Sequence, residues 1–301
     1  MRAAWGEREV RYVLVLVLLL PCGRVAVATA LPDTLAGLSD QAGLEAVAPS
    51  GDGGRKELAT GIVGGILVGS LISSYNDWWK DNSRSFHFIR EGLFSDYSLG
   101  VDKLGHAYTS SFFFHAFRNV MLWGAFDDAT ATWWAAGTSA FFALSVEVGD
   151  GLSSYGFSLE DIAFNFAGLG FGLAQTQFPF LENFQFKWSY VPSGGYRWPP
   201  RFTDHYDAHT YWLTVNVHAF LPEEARSWWP PFLHLAFGYG VDELQTRREF
   251  LVGLDIHLGG FDIENPEMRL LMKTASMYHL PSPAVKITDG KGVQFLPLHL
   301  R

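Results

Sequence analysis

Three short polar signals interrupt long apolar runs and bring together the residue types that chemistry needs: Asp102-Lys103-Leu104-Gly105-His106, Glu147-Val148-Gly149-Asp150 and Asp161-Ile162-Ala163-Phe164-Asn165. Asp102 and His106 are four apart, as are Asp161 and Asn165, so on helices each pair shares one face. Asp102, His106, Glu147 and Asp161 are the candidate catalytic and metal-ligating residues. Their carboxylate and imidazole groups suit zinc, manganese or magnesium. A metal held there would polarise a phosphoryl or carbonyl group and activate water, with one carboxylate as base. Without a metal, His106 held by Asp102 is a general-base candidate. A third reading needs no reaction: Lys103 paired with Glu147 or Asp161, and His106 with Asp102, make a buried ion-pair network, with Asp150 and Asn165 as further members. No serine or cysteine nucleophile signature accompanies these residues, and they fix no particular cofactor.

Antiparallel helices would position the three signals. The first signal opens a helix from about Val101 to Trp123, the second closes a run from Ala129 to Val146, and the third opens a run from Ile162 to Leu181. All three then fall at one end of a bundle. Asp127 or Asp128 is placed to cap the second of these helices, and Ser158, three residues before Asp161, the third. An earlier uncharged run, Leu58 to Tyr75, carries Gly61, Gly65 and Gly69 four apart, and Gly168 and Gly172 repeat that spacing later. Small residues at this interval allow close helix approach and are common in membrane helices. Trp78 and Trp79 follow the first run, where an interfacial belt would lie. Phe86, Phe88, Ile89, Leu93 and Phe94 suggest a short amphipathic helix on the surface.

The fold expected is α+β. Residues 1–30 read as a signal peptide, 31–57 as a flexible lead-in, 58–181 as a bundle of about four apolar, transmembrane helices, and 182–301 as an antiparallel β-rich region. Arg2, Arg8 and Arg11 precede the apolar core Tyr12 to Leu20, and Ala28-Thr29-Ala30 offers a cleavage site. Cys22, the one cysteine, follows Pro21, a departure from a lipidation motif. Of the 301 residues 48% are hydrophobic and only 18% charged, a balance that suits partial immersion in lipid. The net charge of −9, without a basic stripe, argues against nucleic acid. Lys80, Arg84, Arg90 and Lys103 gather in one connection, which the positive-inside tendency places in the cytoplasm and which leaves the C-terminal region periplasmic.

Beyond Pro179 the texture becomes strands and turns. Leu213, Val215 and Val217 alternate with Trp212, Thr214 and Asn216; Leu233-Leu235-Phe237-Tyr239 and Phe250-Val252-Leu254-Ile256-Leu258 repeat the pattern, predicting antiparallel strands with one buried face. Five or six strands fall short of the eight a lipid-spanning barrel needs. Asp255 with His257, and His205 with His209, are secondary metal-ligand pairs; solvent-facing polarity is the plainer account of Asp255 and His257.

The ordered signals Asp102-Lys103-Leu104-Gly105-His106, Glu147, Gly156-Phe157-Ser158 to Asp161 and Asn165-x-x-Gly168, with Asp207-x-x-Thr210-Tyr211-Trp212-Leu213 and Gly238-Tyr239-Gly240 later, resemble the YfiM-like predicted periplasmic lipoproteins. The signals from Asp102 to Gly168 are also distantly similar to those of VanZ-like membrane proteins. The resemblance implies an envelope location and no established activity. The function expected is therefore a structural or binding role in the cell envelope, at the membrane, with bilayer lipid and other envelope proteins as partners. The alternative is a membrane-embedded, metal-dependent hydrolase acting on a lipid-linked or amphiphilic substrate.

Overall fold

A computed structural model describes residues 54–191 and 205–299. The leader, Cys22, the Pro192 to Gly195 turn and the Trp198-Pro199-Pro200 link lie outside the described residues. The first helix, α1, covers Arg55–Ser74 and continues as a π-helical turn, Tyr75–Trp79. A two-residue strand β1, Phe88–Ile89, pairs in parallel with β2, Phe157–Ser158. Between them lie α2, Val101–Trp123, and α3, Asp128–Gly151; α4, Leu159–Gln177, follows β2.

The helix starts have identifiable causes. Gly100 adopts φ 91° in the turn before α2, where the Ser98 hydroxyl accepts from the Asp102 backbone N–H at 3.0 Å. Asp127 accepts from Thr130 N at 2.9 Å to cap α3, and Ser158 from Asp161 N at 3.2 Å to cap α4. The apolar faces of these helices meet α1 in a core containing Ala59, Val63, Phe114, Phe117, Ala135 and Leu169. A Cβ on Gly168 would lie 1.9 Å from the Ala107 carbonyl oxygen, so glycine there lets α4 lie directly on α2.

The second half is a six-stranded antiparallel meander in sequence order: β3 Phe184–Tyr190, β4 His209–Val215, β5 Leu233–Val241, β6 Arg248–Ile256, β7 Ser282–Thr288 and β8 Gly292–His299. A helix α5, Pro266–Ala275, precedes β7. The β3–β4–β5 end of the sheet packs on α2 through Tyr108, Phe186, Trp188 and Tyr211.

Several expectations need correction. Among the described residues only Arg55–Trp79 is long and apolar enough to cross a membrane by length and composition, so a four-span bundle is not supported. In α2 the charges of Lys103 and Arg118 lower the apolar character. Thr130, Thr132, Thr138, Ser139 and two tryptophans do so in α3, and Asn165 and Gln175 in α4. Residues 86–94 form no helix; Phe86, Phe88 and Phe157 pack ring to ring around the β1–β2 pair instead. Gly61, Gly65 and Gly69 have nothing within 4 Å of an added Cβ, so among the described residues no helix lies on that stripe.

One face of the sheet buries polar side chains, and part of the other leaves apolar ones exposed. Its wholly buried positions include Lys187, Trp212, Thr214, Ala236 and Asp255, whereas Phe237, Phe250, Val252 and Ile287 on the opposite face are 41–45% exposed. Asp255 is thus not solvent-facing: its Oδ2 takes Lys187 Nζ at 2.6 Å.

Candidate metal centre

Four polar side chains from three helices converge at one end of the helical layer. Asp102 and His106 come from the first turns of α2, Glu147 from the last turns of α3, and Asp161 from the first turn of α4. Helix direction explains the meeting, since successive antiparallel helices bring the start of α2, the end of α3 and the start of α4 to one level.

Lys103, fully buried, divides the carboxylates in two. Its Nζ lies 2.6 Å from Asp161 Oδ1 and 3.1 Å from Asp102 Oδ2, 3.8 Å from Asp96, and donates a short hydrogen bond to Glu91. The remaining oxygens, Asp102 Oδ1 and Asp161 Oδ2, each lie 3.8 Å from His106 Nε2. That is too long for a hydrogen bond. Ligands bound to one tetrahedral zinc at about 2.1 Å stand about 3.4 Å apart, so each of the two 3.8 Å separations would close by about 0.4 Å around an ion. The ligand atoms of Asp102, His106 and Asp161 all lie within 4.8 Å of one another.

The other ring nitrogen faces a third carboxyl group. His106 Nδ1 is 3.4 Å from Glu147 Oε1, which accepts from Asn165 Nδ2 at 3.3 Å. Asn165 Oδ1 accepts from the Ser110 hydroxyl at 2.9 Å, and the Ser110 carbonyl accepts from Ser139 at 2.8 Å. A carboxyl oxygen beside Nδ1 favours the tautomer whose Nε2 lone pair faces Asp102 and Asp161, the arrangement common behind metal-bound histidines.

Electrostatics favour a cation. Glu91, Asp96, Asp102 and Asp161 set four carboxyl groups against one lysine and one histidine. Burial pushes Glu147 up to about 8 and Asp150 to about 6. For His106 burial opposes the charged ring, but the Asp102, Asp161 and Glu147 carboxylates outweigh it and raise its pKa. Burial likewise opposes ionisation of Asp102, yet His106 and Lys103 prevail and lower its pKa.

Of the residues singled out from sequence, Asp102, His106, Glu147 and Asp161 meet here, with Lys103 and Asn165 among them. Lys103 pairs with Asp161 and not with Glu147. Asp150 stands aside, accepting from Trp79 Nε1 at 2.7 Å. His209 is buried beside Trp188 and Tyr211 in the sheet, and neither it nor Asp255 joins the cluster. Glu91, Asp96 and Tyr206 escaped sequence reasoning. Tyr206 donates to Asp102 Oδ1 at 3.0 Å and exchanges a 3.0 Å hydrogen bond with Tyr97.

The stretch that carries Glu91 and every helical member of the cluster can be set beside known families. Residues 90–176 match the family model described as Predicted periplasmic lipoprotein (DUF2279). That match covers the residues from Glu91 to Asn165 and stops before the sheet and Tyr206. The lipoprotein description fits a cell-envelope location and says nothing of a transmembrane path. It does not show a YfiM-like or VanZ-like kinship. No curated protein and no solved structure matches the chain.

Proposed function

We propose that the chain serves in the cell envelope as a binding or structural protein whose helical layer is clasped by a divalent cation. Asp102 Oδ1, Asp161 Oδ2 and His106 Nε2 are its ligands. The observation that carries this reading is the division of labour at the two aspartates: Lys103 engages one oxygen of each, and the other faces a histidine nitrogen oriented from behind by Glu147. Such a cation would tie the start of α2 to the start of α4 and offset the surplus of carboxylate charge. Three protein ligands leave further positions for water or a partner's oxygen.

The hydrolase alternative uses the same three ligands and needs in addition a carboxylate free to act as base. Glu147 is committed to His106 and Asn165, and Asp150 accepts from Trp79, so the geometry favours binding over hydrolysis. Thermal unfolding of chelator-treated protein tests the proposal. Added Zn2+ or Mn2+ should raise the Tm of the parent and leave that of Asp161→Asn unmoved. Equal shifts in both, or none in the parent, would refute it.

A further inference from the structure

The six-stranded sheet shows its apolar side outward and its ionic side inward. Inward lie the Lys187–Asp255 pair, with both side chains wholly buried, and Lys286 on Glu249 at 2.9 Å. Trp212 Nε1 donates to Ser189 there at 2.9 Å. Gly238 and Gly253 share this side, and an added Cβ would meet Trp212 at 2.7 Å or the Pro283 carbonyl at 2.8 Å, so the inner layer is tightly filled. Outward, Phe237, Val252, Val285 and Phe295 stand side by side across four strands, 45%, 41%, 36% and 65% exposed. In a soluble sheet these two layers would be exchanged, since apolar side chains facing water cost free energy.

We infer that this outer face lies against lipid acyl chains. It continues the strip that α2 already covers at Phe186 and Tyr211, so the surface is one apolar sheet face with part of it left open. No charge interrupts the outward positions of β5, and on β6 the one outward charge, Arg248, stands at the strand end. The two ends of the strands differ as the two edges of a membrane zone do. Phe180, Phe184 and Phe220 pack within 6.0 Å of one another at the end near Trp228, which is 88% exposed. Arg247, Arg248 and Lys291 stand at the other end among Asp242, Glu243 and Asp289, with Lys291 on Asp242 at 3.1 Å. Aromatic rings and basic side chains are the groups that settle at a bilayer's margins. Alternation of apolar outward and polar inward residues is the pattern of lipid-facing β-structure. Six strands do not close a barrel, so the proposal concerns a face and not a pore. Edge strand β3 is partly paired by residues 277–279, through Trp188 N to Met277 O at 3.3 Å and His279 N to Trp188 O at 2.8 Å. The other edge strand, β8, carries Pro297, which withholds one donor.

The test uses the full chain reconstituted into phosphatidylethanolamine–phosphatidylglycerol vesicles. Nitroxide labels are placed on Phe237→Cys, Val252→Cys and Val285→Cys, with Leu244→Cys in the β5–β6 turn as the water-exposed reference. The parent, with Cys22, supplies the background. The three outer labels should collide several-fold more with oxygen than with a nickel chelate, and the Leu244 label should show the reverse preference. Outer labels as open to the nickel chelate as that reference would overturn the proposal. So would labels shielded from both and dipolar-broadened by a neighbouring copy, since a second chain would then cover the face. Three independent positions keep the outcome decisive if one variant fails to fold.

Discussion

Glu147 Oε1 lies 3.4 Å from His106 Nδ1, the ring nitrogen opposite the one that faces Asp102 and Asp161. The side chain from α3 therefore aims the ring without occupying the ligand position. Glu147→Leu should weaken cation affinity ten- to a hundred-fold, about the cost of losing a partner behind a histidine ligand. Glu147→Gln, which keeps an acceptor oxygen, should retain most of it. Calorimetric titration of the two variants distinguishes orientation from mere charge.

Lys103 sits fully buried among Glu91, Asp96, Asp102 and Asp161. Lys103→Met removes the one ammonium in that set and should cost about 3–5 kcal/mol in denaturant unfolding. Arg118→Met breaks a pair whose aspartate, Asp128, is 69% exposed, and should cost under about 1 kcal/mol. Equal losses would show that Lys103 is not the electrostatic centre of the cluster.

The two glycine stripes should respond in opposite ways. Gly168→Ala drives a methyl toward the Ala107 carbonyl oxygen and should destabilise by at least about 1–3 kcal/mol. Gly65→Ala meets nothing within 4 Å and should stabilise α1 by up to about 1 kcal/mol through helix propensity. Melting temperatures of the two variants check both signs.

Burial lowers the His115 pKa to about 4, and Arg118 adds to the shift against the Gln175 hydrogen bond. The folded ring thus stays neutral where the unfolded one, near 6.5, takes up a proton. Its contribution is complete above pH 6.5 and declines as pH falls toward 4. The loss should approach about 3 kcal/mol at most, less because the ring is partly exposed. In His115→Gln the fall in Tm between pH 6.5 and 4 should be shallower; an unchanged slope would assign the acid sensitivity elsewhere.

The helical half of the cluster was legible because an i, i+4 interval fixes a shared face, and short connections fix helix direction. Asp102, His106 and Asp161 needed nothing more. Glu91, Asp96 and Tyr206 were not legible, since they arrive from irregular segments whose course no period encodes. Asp96-Tyr97-Ser98 just before α2 was the available signal, for Asp96 accepts from Gly100 N at 2.6 Å and Ser98 from Asp102 N. Alternation likewise located β4, β5 and β6, but a period of two does not say which face is inside. Gly238 and Gly253, set on the same side as Trp212, held that information: small residues beside a large ring mark the packed layer. The resemblance in hydropathy between α1 and the later helices misled in the other direction, because Lys103, Asn165 and Gln175 serve polar networks inside the fold.

A cation shared by Asp102, His106 and Asp161 separates a metal centre from a bare ion-pair network. Titration of chelator-treated full-length protein with Mn2+, followed by the loss of the free-ion electron paramagnetic resonance signal, tests it most directly. One equivalent should bind to the parent and none at the same concentration to Asp161→Asn or His106→Ala, both still folded by circular dichroism. A parent that leaves the free-ion signal unchanged, or variants that bind as the parent does, would contradict it.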